Sequence, residues 1–280
     1  MTTAFQQNNY WALILGGSRG MGLATARKLA REGMNICVIH RDRRADLPEI
    51  EKAFQEIQGL GVHFLSKNIN ALQEDGVNAV LDELKDKMGE KGKIRLLFHS
   101  IARGNLKPLV AGSSSPSADS LVGAGVEDEI LIKKWAELKE WFSPVDMGQQ
   151  SLSPEDFQIT IYAMATSLIT WTRQCLDRNL FAADARIIGL TSEGNQRVWP
   201  GYAAVSAAKS VLESLAHSMA VEFAHLGIRT NLIQAGVTDT YSLRMIPEMK
   251  TSPQRCHAQP DGQTHPARRC RQCGLAPLSQ

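Results

Sequence analysis

No apolar run in the 280-residue chain approaches the roughly 18 residues of a membrane-spanning helix. The opening MTTAFQQNNYW has no basic stretch leading into an apolar one, so no secretory leader is expected. Cysteine is scarce. Five of them, an odd number thinly spread, do not make a disulfide framework. Charge of one sign is also lacking: the net is +2 with 21% charged residues, and nothing in the body suggests a nucleic-acid footprint. What the chain does have is core-forming residues, 43% hydrophobic, an ordinary globular composition that argues against extensive disorder. A soluble cytoplasmic protein is expected, long enough for one large α/β domain or two small ones.

The slight positive charge is unevenly spread. Residues 251–280 hold four Arg and one Asp, three of the five Cys and four of the eleven Pro. The preceding 250 residues are close to neutral and rich in core residues, so two regions are expected: a domain over 1–250 and an aberrant tail over 251–280.

From residue 11 to 236, short apolar runs alternate with longer amphipathic segments. The runs are 11–15, 35–39, 62–65, 94–98, 186–190 and 228–233, continuous and rich in Ile, Val and Leu, as suits strands buried on both faces. Segments 23–31, 48–58, 77–88, 154–180 and 202–225 carry apolar residues at spacings of three and four, the helical pattern. Alternating β and α with short connections implies an α/β, Rossmann-type, doubly wound parallel sheet of six strands. The interval 107–153 breaks this rhythm. It follows a strand's carboxyl end, where ligands bind in such sheets, so it reads either as a mobile surface insertion or as a substrate lid.

The first strand runs into Gly16-Gly17-Ser18-Arg19-Gly20-Met21-Gly22 and then a helix. Glycines let the backbone approach a pyrophosphate, and the helix N-terminus offers it free N–H groups. The second strand ends in His40-Arg41-Asp42-Arg43-Arg44. Guanidinium groups there match a phosphate in charge and fork geometry and, with Arg19, suggest the 2′-phosphate of NADPH. Asp42 leaves NADH open, since a carboxylate aimed at the ribose would favour it. Further on stand Thr191-Ser192 and, seven positions apart on one face of a helix, Tyr202 and Lys209. A cation near a phenol is expected to lower its pKa, as a proton donor near neutral pH requires.

Together these motifs resemble the short-chain dehydrogenase/reductase family over residues 10–247, and within it the enoyl-acyl-carrier-protein reductases. Tyr202 and Lys209 fit the Tyr-x6-Lys spacing of enoyl reductases. The commoner Tyr-x3-Lys would need a tyrosine where Val205 stands, and the asparagine of commoner members falls on Met164. His99-Ser100-Ile101 matches the enoyl reductases' strand-four signature, and Ala235-Gly236-Val237-Thr238-Asp239-Thr240 the family's clamp after strand six. The resemblance implies Tyr202, Lys209 and Ser192 as catalytic residues. It implies cofactor contacts from Gly16, Ser18, Arg19, Gly20, Met21, Gly22, Arg41, Arg43, Asn68, Ile69, Ser100, Ile101, Ala102, Lys209, Gly236, Val237, Thr238 and Thr240. It further implies an acyl thioester substrate, carried on acyl-carrier protein or coenzyme A in fatty acid synthesis, and a homotetramer. The shifted tyrosine has a physical reason. In enoyl reduction hydride lands on C3 while charge gathers on the oxygen at C1, and three helical residues move the donor by about 4.5 Å. A carbonyl reductase using the same site, or a family member that binds nucleotide without catalysis, remains open.

The family should continue through another helix and a seventh strand. Here, Arg255 onward back-translates with a one-base shift into Gly-Arg-Leu-Thr-Gln-Pro-Glu-Asp-Val-Ala and an apolar helical face, so a frameshift at or just after Lys250 is expected. The rival reading of the tail is zinc held by Cys256, His257, His265, Cys270 and Cys273, but their spacing fits no complete pattern, and no metal is expected.

Overall fold

Strands that lie between two helical layers are buried along their length and mostly apolar, as the first two are: β1 (Tyr10–Leu15) buries its last five residues and β2 (Asn35–His40) all six. The computed structural model describes residues 4–111, 150–196, 201–236, 238 and 240. A short α1 (Ala4–Gln7) precedes β1. Then follow α2 (Gly20–Arg31), β2, α3 (Leu47–Gln58), β3 (Phe64–Asn68), α4 (Glu74–Met88) and β4 (Lys93–His99). After the insertion come α5 (Pro154–Ile161), α6 (Ser167–Asp177), β5 (Phe181–Ser192), α7 (Ala203–Glu222) and β6 (Arg229–Ala235).

The six strands form one parallel sheet in the order β3-β2-β1-β4-β5-β6. Strand order reverses between β1 and β4, and a crevice opens beyond their carboxyl ends, the place where such sheets take ligands. One core layer packs β1, β4 and β5 against α4 and α6 through Leu13, Leu81, Leu84, Leu97, Trp171 and Ile187. The other packs Ile14, Val38, Phe54, Ile57 and Phe98 between the sheet and α2 and α3. On α2 the buried residues are Gly22, Ala26 and Ala30, a spacing of four that lets the helix lie close to the sheet.

Several boundaries differ from the sequence reading. The expected single helix over 154–180 is interrupted by a π turn at Tyr162–Thr166. The wider turn turns Ala163, Met164 and Ala165 inward in succession, which a 3.6-residue period does not allow, and Ser167 Oγ donates to the Ala163 carbonyl (3.0 Å). β5 starts at Phe181 because Ala183 and Asp184, both exposed, mask its apolar pattern. β3 lies at Phe64–Asn68 rather than 62–65. The ends of the insertion meet where Leu152 N–H donates to the Pro108 carbonyl (2.8 Å). Most of the insertion, residues 112–149, and the expected seventh strand and tail, residues 241–280, lie outside the described residues. No described helix is long and apolar enough to cross a membrane.

Candidate active site

The chain turns sharply out of β1. Gly16 adopts φ +83° and donates its N–H to the Ile39 carbonyl (2.8 Å), and a Cβ there would sit 2.6 Å from the Ser100 carbonyl oxygen. Gly22 lies directly on the Gly16 carbonyl, leaving no room for a side chain. Helix α2 begins at Gly20 with no side-chain cap, so its leading N–H groups face the crevice. An uncapped helix start behind a glycine cradle fits a pyrophosphate, the arrangement a dinucleotide needs.

From this loop a cleft of about 750 Å³ runs along the carboxyl ends of β1, β4 and β5. At one end it is lined by Ser18, Arg19, Arg41, Asp42 and Arg43, and at its middle by Gly16, Ile69, Ser100, Ile101 and Ala102. At the other end are Ser192, Tyr202 and Lys209; Gly236, Thr238 and Thr240 also line the cleft, with Thr240 beside Gly20 of the glycine loop. The structure therefore brings together on one surface most of the residues expected to hold a cofactor. Three are placed otherwise. Gly22 packs behind the loop, Val237 lies outside the described residues, and Asn68 is absent from the lining, its amide bonded to the backbone of Asp42. Arg19 is not an isolated cation: it pairs with Asp42 (3.6 Å) and Asp46 (3.2 Å).

Tyr202 occupies the cap position before α7 (φ −100°, ψ 2°), so it projects from the helix entrance rather than from a full helical turn. Its ring lies over Gly194, where a Cβ would approach Cε1 to 2.5 Å. Ser192 ends β5, accepts the Gly194 N–H (3.4 Å) and hydrogen-bonds the phenol, so one hydroxyl shapes the turn and holds the tyrosine. Lys209 is buried, and its Nζ donates to the Leu190 carbonyl (2.6 Å).

The expected electrostatics need correcting. Burial raises the Tyr202 phenol above its ordinary value, and Ser192, not Lys209, is the group that opposes the rise. Burial lowers the Lys209 ammonium to about 8, against an opposing pull from the Glu213 carboxylate. Behind them His99 is buried, its Nε2 2.8 Å from Ser167 Oγ, and burial with the nearby Lys209 charge lowers it to about 3, so the ring stays neutral.

Sequence reasoning missed three supports. Glu213 on α7 accepts from Thr191 Oγ1 (2.6 Å) and Asn195 Nδ2 (2.7 Å), tying β5 and the turn after it to the helix that bears Lys209. Gly194 makes room for the tyrosine. Asp156 accepts from Asn105 Nδ2 (2.7 Å), Lys107 Nζ (2.8 Å) and Ser153 N–H (3.0 Å), fastening the loop after β4 to α5. Beside Tyr202, Leu72, Ile101, Leu106, Met164 and Val205 make an apolar wall.

A family model described as "short chain dehydrogenase" matches residues 10–114, and one described as "Enoyl-(Acyl carrier protein) reductase" matches residues 141–272. The gap between them falls within the 107–153 insertion. The chain is 26% identical over 243 residues to the 1-cyclohexenylcarbonyl-CoA reductase of Streptomyces collinus, covering 86% of this chain and 69% of that one. It is 22% identical to the acetoacetyl-CoA reductase of Cupriavidus necator, over 84% of this chain and 77% of the other. The fold matches a short chain dehydrogenase from Burkholderia cenocepacia solved with NADP, at a TM-score of 0.59 and 19% identity, over 85% of this chain and 78% of that one.

Proposed function

The chain belongs to the short-chain dehydrogenase/reductase family of nicotinamide-dependent oxidoreductases, and on that premise we propose that it reduces a trans-2-enoyl thioester with NADPH. The observation that carries this reading is the packing at Val205. Four residues before the lysine, where a tyrosine would serve carbonyl reduction in the commoner members, Val205 is buried with Ala163, Met164 and Ala208, and a Cβ on Gly104 would approach its Cγ2 to 2.5 Å. That place is filled by hydrocarbon, and the phenol of the cleft stands three residues earlier.

When bound, a reduced nicotinamide supplies the hydride, which in enoyl reduction goes to C3. Negative charge then gathers on the thioester oxygen, two carbons away, and Tyr202 donates its hydrogen bond there. Its raised pKa keeps the phenol a neutral donor at neutral pH, and Ser192 fixes its direction. Lys209, charged below about pH 8, lies at the Tyr202 end of the cleft, where it would hold the nicotinamide ribose and add a positive potential to the site. The apolar wall of Leu72, Ile101, Leu106 and Met164 suits an acyl chain, carried on coenzyme A or acyl-carrier protein. Arg41 and Arg43, exposed on the rim, suit the 2′-phosphate that separates NADPH from NADH. Assembly into a homotetramer belongs to the same proposal and is read by light scattering.

Two of the relatives are reductases of coenzyme A thioesters by name, which supports the substrate class. The hydrogen bond between Ser192 and Tyr202 also suits carbonyl reduction and favours a 3-ketoacyl thioester as the second reading. The rates of NADPH oxidation with crotonyl-CoA and acetoacetyl-CoA separate the two. Turnover of acetoacetyl-CoA alone overturns the first.

A further inference from the structure

In a dinucleotide fold, an acid at the end of the second strand ordinarily accepts the ribose 2′-hydroxyl, which favours NADH. Asp42 stands at that point, flanked by Arg41 and Arg43, and lines the cleft. Its carboxylate is engaged elsewhere. Oδ2 lies 2.9 Å from His40 Nδ1 and Oδ1 lies 3.6 Å from Arg19 Nε. Its backbone is clamped as well: the N–H donates to Asn68 Oδ1 (2.9 Å) and the carbonyl accepts from Asn68 Nδ2 (3.1 Å). The Asp42 side chain is only 12% exposed.

His40 is the fixed end of this latch. Its ring is buried and meets Phe54 edge-on, with centroids 5.3 Å apart, so it cannot follow a moving carboxylate. Burial lowers its pKa below the ordinary histidine value even beside a carboxylate, and the ring is neutral at physiological pH. Facing a carboxylate, the single proton of the neutral ring belongs on Nδ1, which donates to Oδ2. We propose that His40 determines cofactor specificity through Asp42: it holds the carboxylate against the base of the cleft, away from the ribose, and leaves the rim to Arg41 and Arg43. Released, the carboxylate would act in two directions at once. It would accept from the 2′-hydroxyl of NADH and repel the 2′-phosphate of NADPH. The inference rests on the reading that this chain prefers NADPH.

Direct titration of NADPH and NADH onto the purified full chain, by calorimetry, tests it without any acyl substrate. His40→Leu removes the donor, while His40→Asn keeps an N–H near the position of Nδ1. The ratio of the two dissociation constants is expected to move toward NADH by about tenfold or more in His40→Leu, the effect of releasing a charge-assisted hydrogen bond. It should return toward wild type in His40→Asn, and His40→Leu should add nothing in an Asp42→Asn background. Equal weakening of both cofactors overturns the assignment, as does the same change in ratio without Asp42, or a His40→Asn ratio as low as that of His40→Leu. Where His40→Leu fails to fold, Asn68→Ala releases the other side of the clamp and must shift the ratio the same way, or the proposal falls. A wild-type chain that binds NADH as tightly as NADPH overturns the cofactor reading itself, whereas an NADPH-preferring chain indifferent to these variants overturns only the role of His40.

Discussion

Lys209 is a base whose charge is opposed by its surroundings, and its titration should be visible in activity. Its ammonium holds a proton below about pH 8, where a free lysine would hold it to 10.5, so steps that use its charge decline as pH rises through about 8. The effect on stability has the opposite sign. Between the two values the unfolded chain binds the extra proton, so this group makes the fold more stable as pH rises there. A pH profile of kcat is expected to show the alkaline limb near 8. In Glu213→Gln that limb should move to lower pH, because the carboxylate that props up the ammonium is gone; a limb that stays put shows that another group sets it. Tyr202→Phe should lower kcat by roughly 10²–10³ while the NADPH dissociation constant changes little, the signature of a donor used in the transition state. That Tyr202, Lys209 and Ser192 would share one cleft was legible because the Tyr–Lys spacing is distinctive and Ser192 ends a strand. Glu213 was not, since a glutamate four residues after a lysine on a helix reads as an ordinary solvated pair, and nothing local says that its oxygens reach Thr191 and Asn195. The direction of the Tyr202 pKa was misread for a related reason: spacing along a helix locates the lysine but says nothing of how deeply the phenol is buried.

Elements hold these residues in register through contacts distant in sequence. Ser153 and Asp156 form a capping box on α5, a pattern visible in Ser-Pro-Glu-Asp. The same carboxylate also reaches Asn105 and Lys107, about fifty residues upstream, and no local pattern announces that. Thr160 Oγ1 adds a bond from the Asn105 N–H (3.1 Å). The loop that supplies Gly104 and Leu106 to the cleft is thus suspended from a helix. Asp156→Ala is expected to raise the KM for the acyl substrate by roughly tenfold through misplacement of that loop, with NADPH affinity unchanged, as steady-state kinetics and cofactor titration would show. Gly194→Ala acts on the other side. Its Cβ would displace the Tyr202 ring and lower kcat, as steady-state kinetics would show, at some cost in melting temperature because Gly194 is buried. The π turn at Tyr162–Thr166 escaped the sequence reading because the helical spacing of apolar residues resumes on either side of it; Met164, on that turn, lines the cleft.

Over the whole molecule, alternation of apolar runs and amphipathic segments was enough to read the parallel sheet, because burial on both faces leaves an unbroken apolar signature. The order of the strands was not read from the sequence; it is the structure that sets the glycine loop beside the end of β4. Strand limits were less legible where exposed residues interrupt a strand, as at Ala183 and Asp184. A cofactor spread over β1, β2, β4, β5 and β6 should couple to the stability of the entire sheet. NADPH at about a hundred times its dissociation constant adds about 2.7 kcal/mol, enough to raise Tm by roughly 5 °C or more, and a melt without such a shift contradicts the cofactor reading. One small contact has a wider consequence. The bond from Leu152 N–H to the Pro108 carbonyl closes the base of the insertion, and Lys107 and Asp156 brace it immediately beside the cleft. The same Asp156 holds Asn105 and Lys107, so loss of that one carboxylate would loosen both the closure of this base and the wall that Gly104 and Leu106 lend to the cleft.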